Sequence, residues 1–498
     1  MQIDLAYTYT AARLGVSGIG RGFALLVAGG TATLIYSEAD VNEAKSLSLG
    51  TVNAPGSGYV THQALSAPIQ AGNLSPSEGI AFQDTGNSLR EYVFDSHLGK
   101  LMSADLDSAG RPGASQTVTT DHGALKGVET FTIMGGATGD RAVVSNWNNA
   151  GLEVYHLNAN GSMTQMDTVA DTEKSYVGNV SDTATVTVGG RDYLLTLSSL
   201  ENGITSYEVD RKGRAAMVDS LGSHDGLYVS GPVAVQTMAV EGVTYAVLAS
   251  TGSSSLSVVR VNDQGCLYVT DHVVDDLTTR FDHTEVLDTF TMNGRSFVAT
   301  AGTDAGITVF ELLPGGHLAP FVTQSFETGA GLYDVTGLEV AVNGTTASIY
   351  VVDAHADRIQ KFDLDMSDLG GVIHAKGGLT TGTSHADLVL GTGADETLQG
   401  WAGDDQIYAG GGADVLQGGA GSDVFVFNAA SNHCKISDFD LHIDLIDISD
   451  WGQVYTKDAL TITSTAKGAV IELIGHDLTV EVGHSLKAAD FHDSDFIF

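Results

Sequence analysis

Along the first three quarters of the chain, apolar and polar positions follow one another in short runs that recur at a fixed period. The clearest unit is an apolar–x–apolar–apolar–x–apolar strand at Leu152/Val154/Tyr155/Leu157. It returns at Ile204/Ser206/Tyr207/Val209, Leu256/Val258/Val259/Val261, Ile307/Val309/Phe310/Leu312 and Ile359/Lys361/Phe362/Leu364, stepping by 52, 52, 51 and 52 residues. The run before these copies is nearly continuously apolar (Tyr193–Leu197, Tyr245–Ala249, Phe297–Ala301, Ile349–Val352), the mark of a strand buried on both faces. Upstream of each lies another strand, joined through Gly189-Gly190, Glu241-Gly242, Asn293-Gly294 or Asn343-Gly344. These dipeptides accept the positive φ of a two-residue hairpin turn. A fourth strand follows a glycine turn at Asn160-Gly161, Lys212-Gly213, Gln264-Gly265 and Gly315-Gly316.

Two weaker copies come first, Ile35-Tyr36 and Leu101/Ser103/Ala104/Leu106, with an insertion near residues 50–75. The Phe23–Tyr36 stretch reads as a strand pair folded at Gly29-Gly30. Four antiparallel strands at this period predict propeller blades, and seven copies by residue 370 predict a seven-bladed ring. Asp4–Tyr9 is the expected closing strand. An open β-solenoid and two stacked sandwiches are the competing architectures.

A different period begins at residue 382. Read in nines, the chain runs GTSHADLVL, GTGADETLQ, GWAGDDQIY, AGGGADVLQ, GGAGSDVFV, through residue 426. Position six is Asp387, Glu396, Asp405, Asp414 and Asp423; position eight is Val389, Leu398, Ile407, Leu416 and Phe425. These 45 residues hold 11 Gly, 7 acidic residues and no Lys or Arg, so folding them compactly requires cations. Glycine permits sharp turns that aim carbonyl oxygens inward, and Asp adds the hard anionic oxygen that Ca²⁺ prefers. The apolar eighth positions are expected to stack as a thin core.

This template, G-G-x-G-x-D-x-apolar-x, resembles the repeats-in-toxin (hemolysin-type) nonapeptide family, whose members fold as a Ca²⁺-binding parallel β-roll. The resemblance implies two nonapeptides per coil and an ion between repeats n and n+2. Five repeats then imply about three Ca²⁺ sites: Asp405 with Asp423, Glu396 with Asp414 (Asp395 able to substitute), and Asp387 with Asp405. It also implies that carbonyls at positions two and four, on Trp401, Gly403, Gly410, Gly412, Gly419 and Gly421, complete the shells. The following segment, Val424-Phe-Val-Phe, Ile436-Ser-Asp-Phe-Asp and Asp444-Leu-Ile-Asp-Ile-Ser, resembles the cap of such rolls in type I-secreted proteins. Asp493-Ser-Asp-Phe-Ile-Phe resembles the C-terminal signal read by type I secretion machinery of Gram-negative bacteria. The expected layout is an all-β chain: propeller 1–370, linker 371–381, β-roll 382–426, and a β cap with secretion signal 427–498.

Composition narrows the partners. Lys+Arg number 23 against 61 Asp+Glu, a formal net charge of −38, which disfavours nucleic acid and anionic membranes. No run approaches the length of a membrane helix, and Met1–Leu14 does not open like a secretory signal. Cys266 and Cys434 define no disulfide framework. The expected location is extracellular or at the cell surface.

Catalytic chemistry is less marked. There is no H-E-x-x-H and no G-x-S-x-G. Gly18-Ile-Gly-Arg-Gly reads as a loop or strand junction. Acids recur after the outer strands (Asp121, Asp171, Asp219, Asp275, Glu327), and several loops add imidazoles: Asp121-His122, His224-Asp225, and Asp282-His283 with Glu285. Converging on a channel, they would bind a further metal and polarise a lactone carbonyl; alternatively they cap turns. The runs Arg191-Asp-Tyr-Leu-Leu-Thr-Leu, Asn202-Gly-Ile-Thr-Ser-Tyr-Glu-Val-Asp and Lys212-Gly resemble lactonase-type seven-bladed propellers, which include 6-phosphogluconolactonase-like and muconate-cyclizing proteins. That resemblance spans roughly residues 1–370 and implies a lactonase-like hydrolase, with no catalytic motif to transfer. The rival expectation is a non-catalytic module for surface glycans, matrix or self-association, favoured by the missing nucleophile motif.

Overall fold

The computed structural model describes residues 3–10, 19–28, 31–38, 44–51, 80–84, 89–95, 100–106, 113–125, 127–135, 140–146 and 149–498, the last without 327–331, 333, 354, 357, 432, 452–453, 455, 474–475 and 482–483. The described residues are almost wholly β, with a few 3₁₀ turns and no helix long and apolar enough to cross a membrane. The chain divides into two units: Met1–Met292 with Ser296–Asp365, and Asn293–Arg295 with Met366–Phe498.

The first unit is the propeller. The 52-residue period folds as anticipated; one repeat runs Val180–Val188, Arg191–Ser198, Gly203–Val209, Ala215–Leu221, paired antiparallel in that order. Both residues of the Gly189-Gly190, Glu241-Gly242 and Asn293-Gly294 turns have positive φ, as a tight hairpin matched to strand twist requires. Second strands carry the core: Tyr193, Leu194, Leu195 and Leu197 are fully buried, as are Ala246, Val247, Leu248 and Ala249 one repeat later. Ile3–Thr10 pairs antiparallel with Arg358–Asp365 and supplies the fourth strand of the last sheet, the expected closure.

The blade count is corrected. Among the described residues six sheets of this unit have four or more strands, giving a propeller-like ring of six blades rather than seven. The first sequence copy forms a three-stranded sheet, Ile19–Ala28, Thr31–Glu38 and Ala44–Thr51. Its first strand touches Val335–Asn343 on one side and Ile80–Asp84 on the other. The residues that would add a fourth strand, 52–79, lie outside the described residues, as do the Gly29-Gly30 turn and Glu327.

The second unit is a parallel solenoid of about four turns over residues 369–447. Its two sheets advance by one coil every 18 residues: Val389 aligns with Ile407 and then Phe425, and Leu398 with Leu416. Two nonapeptides thus make one coil. The eighth positions stack as expected, with Val389, Leu398, Ile407, Leu416 and Phe425 all fully buried. The stack continues beyond the repeats through Ile436, Ile446 and Val480 to Phe496. The expected boundaries are therefore too narrow. Residues 371–381 are no linker: Leu369–His374 and Gly378–Thr381 pair in parallel with Ala386–Leu390 and Glu396–Ala402 and form the first coil.

Candidate metal centre

The position-six acids form a ladder across the coils. Asp387 N–H donates to Asp405 Oδ1 (2.7 Å), Glu396 N–H to Asp414 Oδ1 (2.8 Å) and Asp405 N–H to Asp423 Oδ1 (2.9 Å). The ladder runs one rung further than the repeats, since Asp423 N–H donates to Asp444 Oδ1 (3.0 Å). The residue offset there is 21 rather than 18, which conceals Asp444 from a search in nines.

Position two decides what the other oxygen does. In the first two repeats it is threonine. Thr383 donates its N–H (2.6 Å) and hydroxyl (2.8 Å) to Asp387 Oδ2, and Gly371 N–H reaches Asp387 Oδ1 (3.0 Å). Thr392 N–H satisfies Glu396 Oε2 (2.6 Å) and Gly377 N–H satisfies Oε1 (3.0 Å). In the last three repeats position two turns into the left-handed region: Trp401 φ +85°, Gly410 +75°, Gly419 +102°. For tryptophan this is a strained choice, held by the surrounding coils. The Asp405 and Asp423 Oδ2 atoms, in side chains 0% and 1% exposed, then have no hydrogen-bond partner among the described residues. Asp414 is intermediate, its Oδ2 meeting only the Cys434 thiol at 3.7 Å.

Burial without a partner shifts protonation. Desolvation pushes Asp405 up to about 8 and Asp423 up to about 7, with neighbouring carboxylates adding to both. Asp414 and Asp444 rise to about 6 for the same first reason.

The glycines make room. A Cβ on Gly400 or Gly418 would overlap Asp405 Oδ2 or Asp423 Oδ2. A Cβ on Gly419 would overlap the Trp401 carbonyl oxygen, one on Gly421 the Gly403 carbonyl oxygen, and one on Gly412 would crowd the Ala394 carbonyl. Gly410 stands likewise against the Thr392 carbonyl. Carbonyls at positions two and four are therefore directed at the next coil across space that only glycine leaves open. Asp395 is committed elsewhere, accepting Ala413 N–H (2.8 Å). The orphaned, buried Asp405 and Asp423 oxygens and the carbonyls that face the next coil are all hard oxygens, the ligand type that Ca²⁺ takes.

Residues 390–425 match the RTX calcium-binding nonapeptide repeat, in four copies. The chain therefore carries an RTX roll, and these repeats imply calcium binding. None of the curated proteins matches the chain. Among solved structures it is similar to a protein from Lactobacillus plantarum (16% identity, TM-score 0.42, covering 68% of this chain and 95% of that one). A functionally unknown protein from Desulfotomaculum acetoxidans has 12% identity, TM-score 0.40, and 70% and 98% coverage. A Bacteroides uniformis protein, named as a candidate 6-phosphogluconolactonase, has 14% identity, TM-score 0.40, and 70% and 98% coverage. Likeness at this level carries no argument about activity.

The propeller acids have a different use from the RTX ones. Asp167, Asp219 and Asp271, 52 residues apart, each sit at a register shift of an outer strand. Each accepts its following residue's N–H on Oδ1 and, on Oδ2, an N–H of the next blade: Ala215 (2.9 Å), Leu267 (2.9 Å) and Leu318 (2.7 Å). Asp182 and Asp288 do the same between first strands, reaching Val235 and Val340 (2.8 Å each). Of the loop acids singled out in the sequence, Asp219 is thus a bracket between blades. Asp121 accepts Gln165 N–H, Asp171 faces Ser175, and Asp275 accepts Thr279 and Phe281. Asp225 closes a turn on Gly222 N–H, and Asp282 pairs with its neighbour His283 at 2.9 Å. Neither His122, His224 and His283 nor Glu285 enters a group of three metal-binding side chains among the described residues. Sequence reasoning missed Glu339, which is 7% exposed with Oε1 unpartnered. Burial raises both Glu339 and Asp288, and the Asp288 charge raises Glu339 further.

Proposed function

We propose that this is a secreted calcium-binding protein whose RTX roll takes Ca²⁺ between the coils of Asp405 and Asp423. The observation that carries the reading is the pair of buried Oδ2 atoms without partners. Asp405 and Asp423 would hold the ion, with carbonyls of Trp401, Gly403, Gly419 and Gly421. The ion would supply the positive charge that lets both acids stay ionised in the interior. Asp387 and Glu396 have both oxygens hydrogen-bonded, one to threonine and one to glycine donors, so the two further gaps, Asp387/Asp405 and Glu396/Asp414, would fill only after those bonds are released. Asp414, with Gly410 and Gly412, is the better placed side of the second gap.

In low calcium the acids repel and the roll stays open; at calcium ten times Kd each filled site adds about 1.4 kcal/mol to folding. That linkage suits export by a type I system in an unfolded state, followed by folding outside. The propeller is proposed as a module for a surface ligand, matrix or another copy. The test is far-UV circular dichroism and calorimetry of the full chain, with calcium added to metal-free protein. A gain of β signal that D405N/D423N abolishes supports the reading; equal spectra and no heat of binding overturn it.

A second reading, a lactonase-like hydrolase with a metal in the propeller channel, is favoured by one observation. Asp288 and Glu339 lie on first strands of neighbouring blades, both raised by burial, with one oxygen left unpartnered. Lactone hydrolysis lost in Glu339→Gln and kept in His283→Ala would support it.

A further inference from the structure

Outside the nonapeptides, two imidazoles and a buried carboxylate converge at the end of the solenoid. His442 Nδ1 lies 2.9 Å from Asp495 Oδ1, and the His442 and His492 rings stack with centroids 4.3 Å apart and planes 13° from parallel. One ligand atom from each of His442, His492 and Asp495 lies within 4.8 Å of the others. We propose that these three side chains form a transition-metal site of the zinc class, separate from the calcium-binding coils.

The donor set selects the ion. Ca²⁺ takes oxygen ligands, whereas two imidazole nitrogens with one carboxylate suit Zn²⁺, leaving a fourth tetrahedral position for water. An ion pair would need only one imidazole beside Asp495. The second ring, stacked on the first, makes no hydrogen bond of its own among the described residues, and both rings are open to solvent. The neutral His442 ring would keep its proton on Nε2 and offer Nδ1 to the ion.

The backbone holds two of the ligands in place before any ion arrives. His442 adopts φ +66° at the apex of a turn closed by Ile443 and Asp444 N–H on the Asp440 carbonyl (3.0 and 2.9 Å) and by Asp440 N–H on Asp444 Oδ2 (2.7 Å). Asp495 is 1% exposed, and its Oδ2 accepts His492 N–H (2.7 Å), which leaves Oδ1 for the cluster. The His442 turn and Asp495 are thus held in advance, whereas the His492 ring has to turn out of the stack on binding, because two near-parallel rings cannot both aim a nitrogen at one ion. The site would also clip two distant segments together. Phe496–Ile497, next to Asp495, pairs with Leu445–Asp447, next to the His442 turn.

The test uses the full chain, stripped of metal and then held in excess Ca²⁺ so that the roll reading is not at stake. Zn²⁺ is titrated against a competing chromophoric chelator. Because the chain has 16 His, wild type is compared with H442Q, H492Q and H442Q/H492Q. The expected result is one Zn²⁺ equivalent that weakens at least about tenfold in each single variant. Zn²⁺ should also slow proteolysis of the 485–498 segment in wild type and not in the double variant. Near-UV circular dichroism unchanged across the variants shows that folding is retained. Equal Zn²⁺ affinity in wild type and H442Q/H492Q, or protection that persists in the double variant, overturns the proposal and leaves a stacked pair beside a hydrogen-bonded aspartate.

Discussion

The propeller and the roll both spend aspartates on backbone N–H groups one repeat away, yet they finish the job differently. Asp167, Asp219 and Asp271 use both oxygens on N–H donors. Asp405 and Asp423 accept on Oδ1 alone, from Asp387 and Asp405 N–H, and keep Oδ2 buried and bare. A carboxylate satisfied on both sides is a fastener, whereas a buried one satisfied on a single side leaves a hard oxygen open to a further ligand. The same contrast divides the roll internally, because Thr383 and Thr392 convert Asp387 and Glu396 into fasteners.

Four experiments press on this distinction. The largest effect is expected from Gly403→Val. Gly403 has φ +110° and its Cβ would overlap the His385 backbone, so the roll should lose more than about 4 kcal/mol, read as loss of its unfolding transition. Next comes a change of sign in D405N/D423N. Asparagine keeps the Oδ1 acceptor and removes the buried charge. The metal-free variant should be more stable than wild type by about 1–3 kcal/mol, and less stable in millimolar calcium. Denaturant midpoints with and without calcium decide it.

The third experiment varies pH in metal-free buffer. Asp405 and Asp423 sit at about 8 and about 7 when folded, against an ordinary aspartate near 3.8. Between about pH 4 and pH 8 the folded roll then holds more protons than the unfolded chain. Its stability should fall as pH rises through that window and level off above it. A midpoint that rises with pH contradicts the assignment. The smallest effect is expected from Asp219→Ala, which strips acceptors from Ser220 and Leu267 N–H. It should lower propeller stability by about 1–2 kcal/mol, equally with and without calcium.

Much of this was readable in advance. The 52-residue period placed the blade strands and their turns, and the eighth positions placed the solenoid core. The pairing of Asp405 with Asp423 followed from two nonapeptides per coil. What the sequence concealed was conformation at single residues. Threonine at position two is visible as a departure from the template, but nothing in it says that its N–H turns toward the acid. Nothing in Trp401 says that it accepts φ +85°. The recurring Asp167/Asp219/Asp271 series is legible as a spacing, yet its role depends on register shifts that turn each side chain toward the next blade. Asp444 breaks the count by three residues, and His442 and His492 stand fifty apart in sequence, so only folding brings them together.

The strand Ile3–Thr10 finds its partner in Arg358–Asp365, with Tyr9 opposite Ile359, 350 residues later. At ribosomal rates of about 5–20 residues per second, this strand waits roughly 20–70 s for the one that receives it. During that interval the nascent chain presents an open sheet border, the kind of surface on which neighbouring polypeptides associate. Slow synthesis or a crowded polysome would therefore tax this protein at that unpaired strand, before the acidic coils emerge.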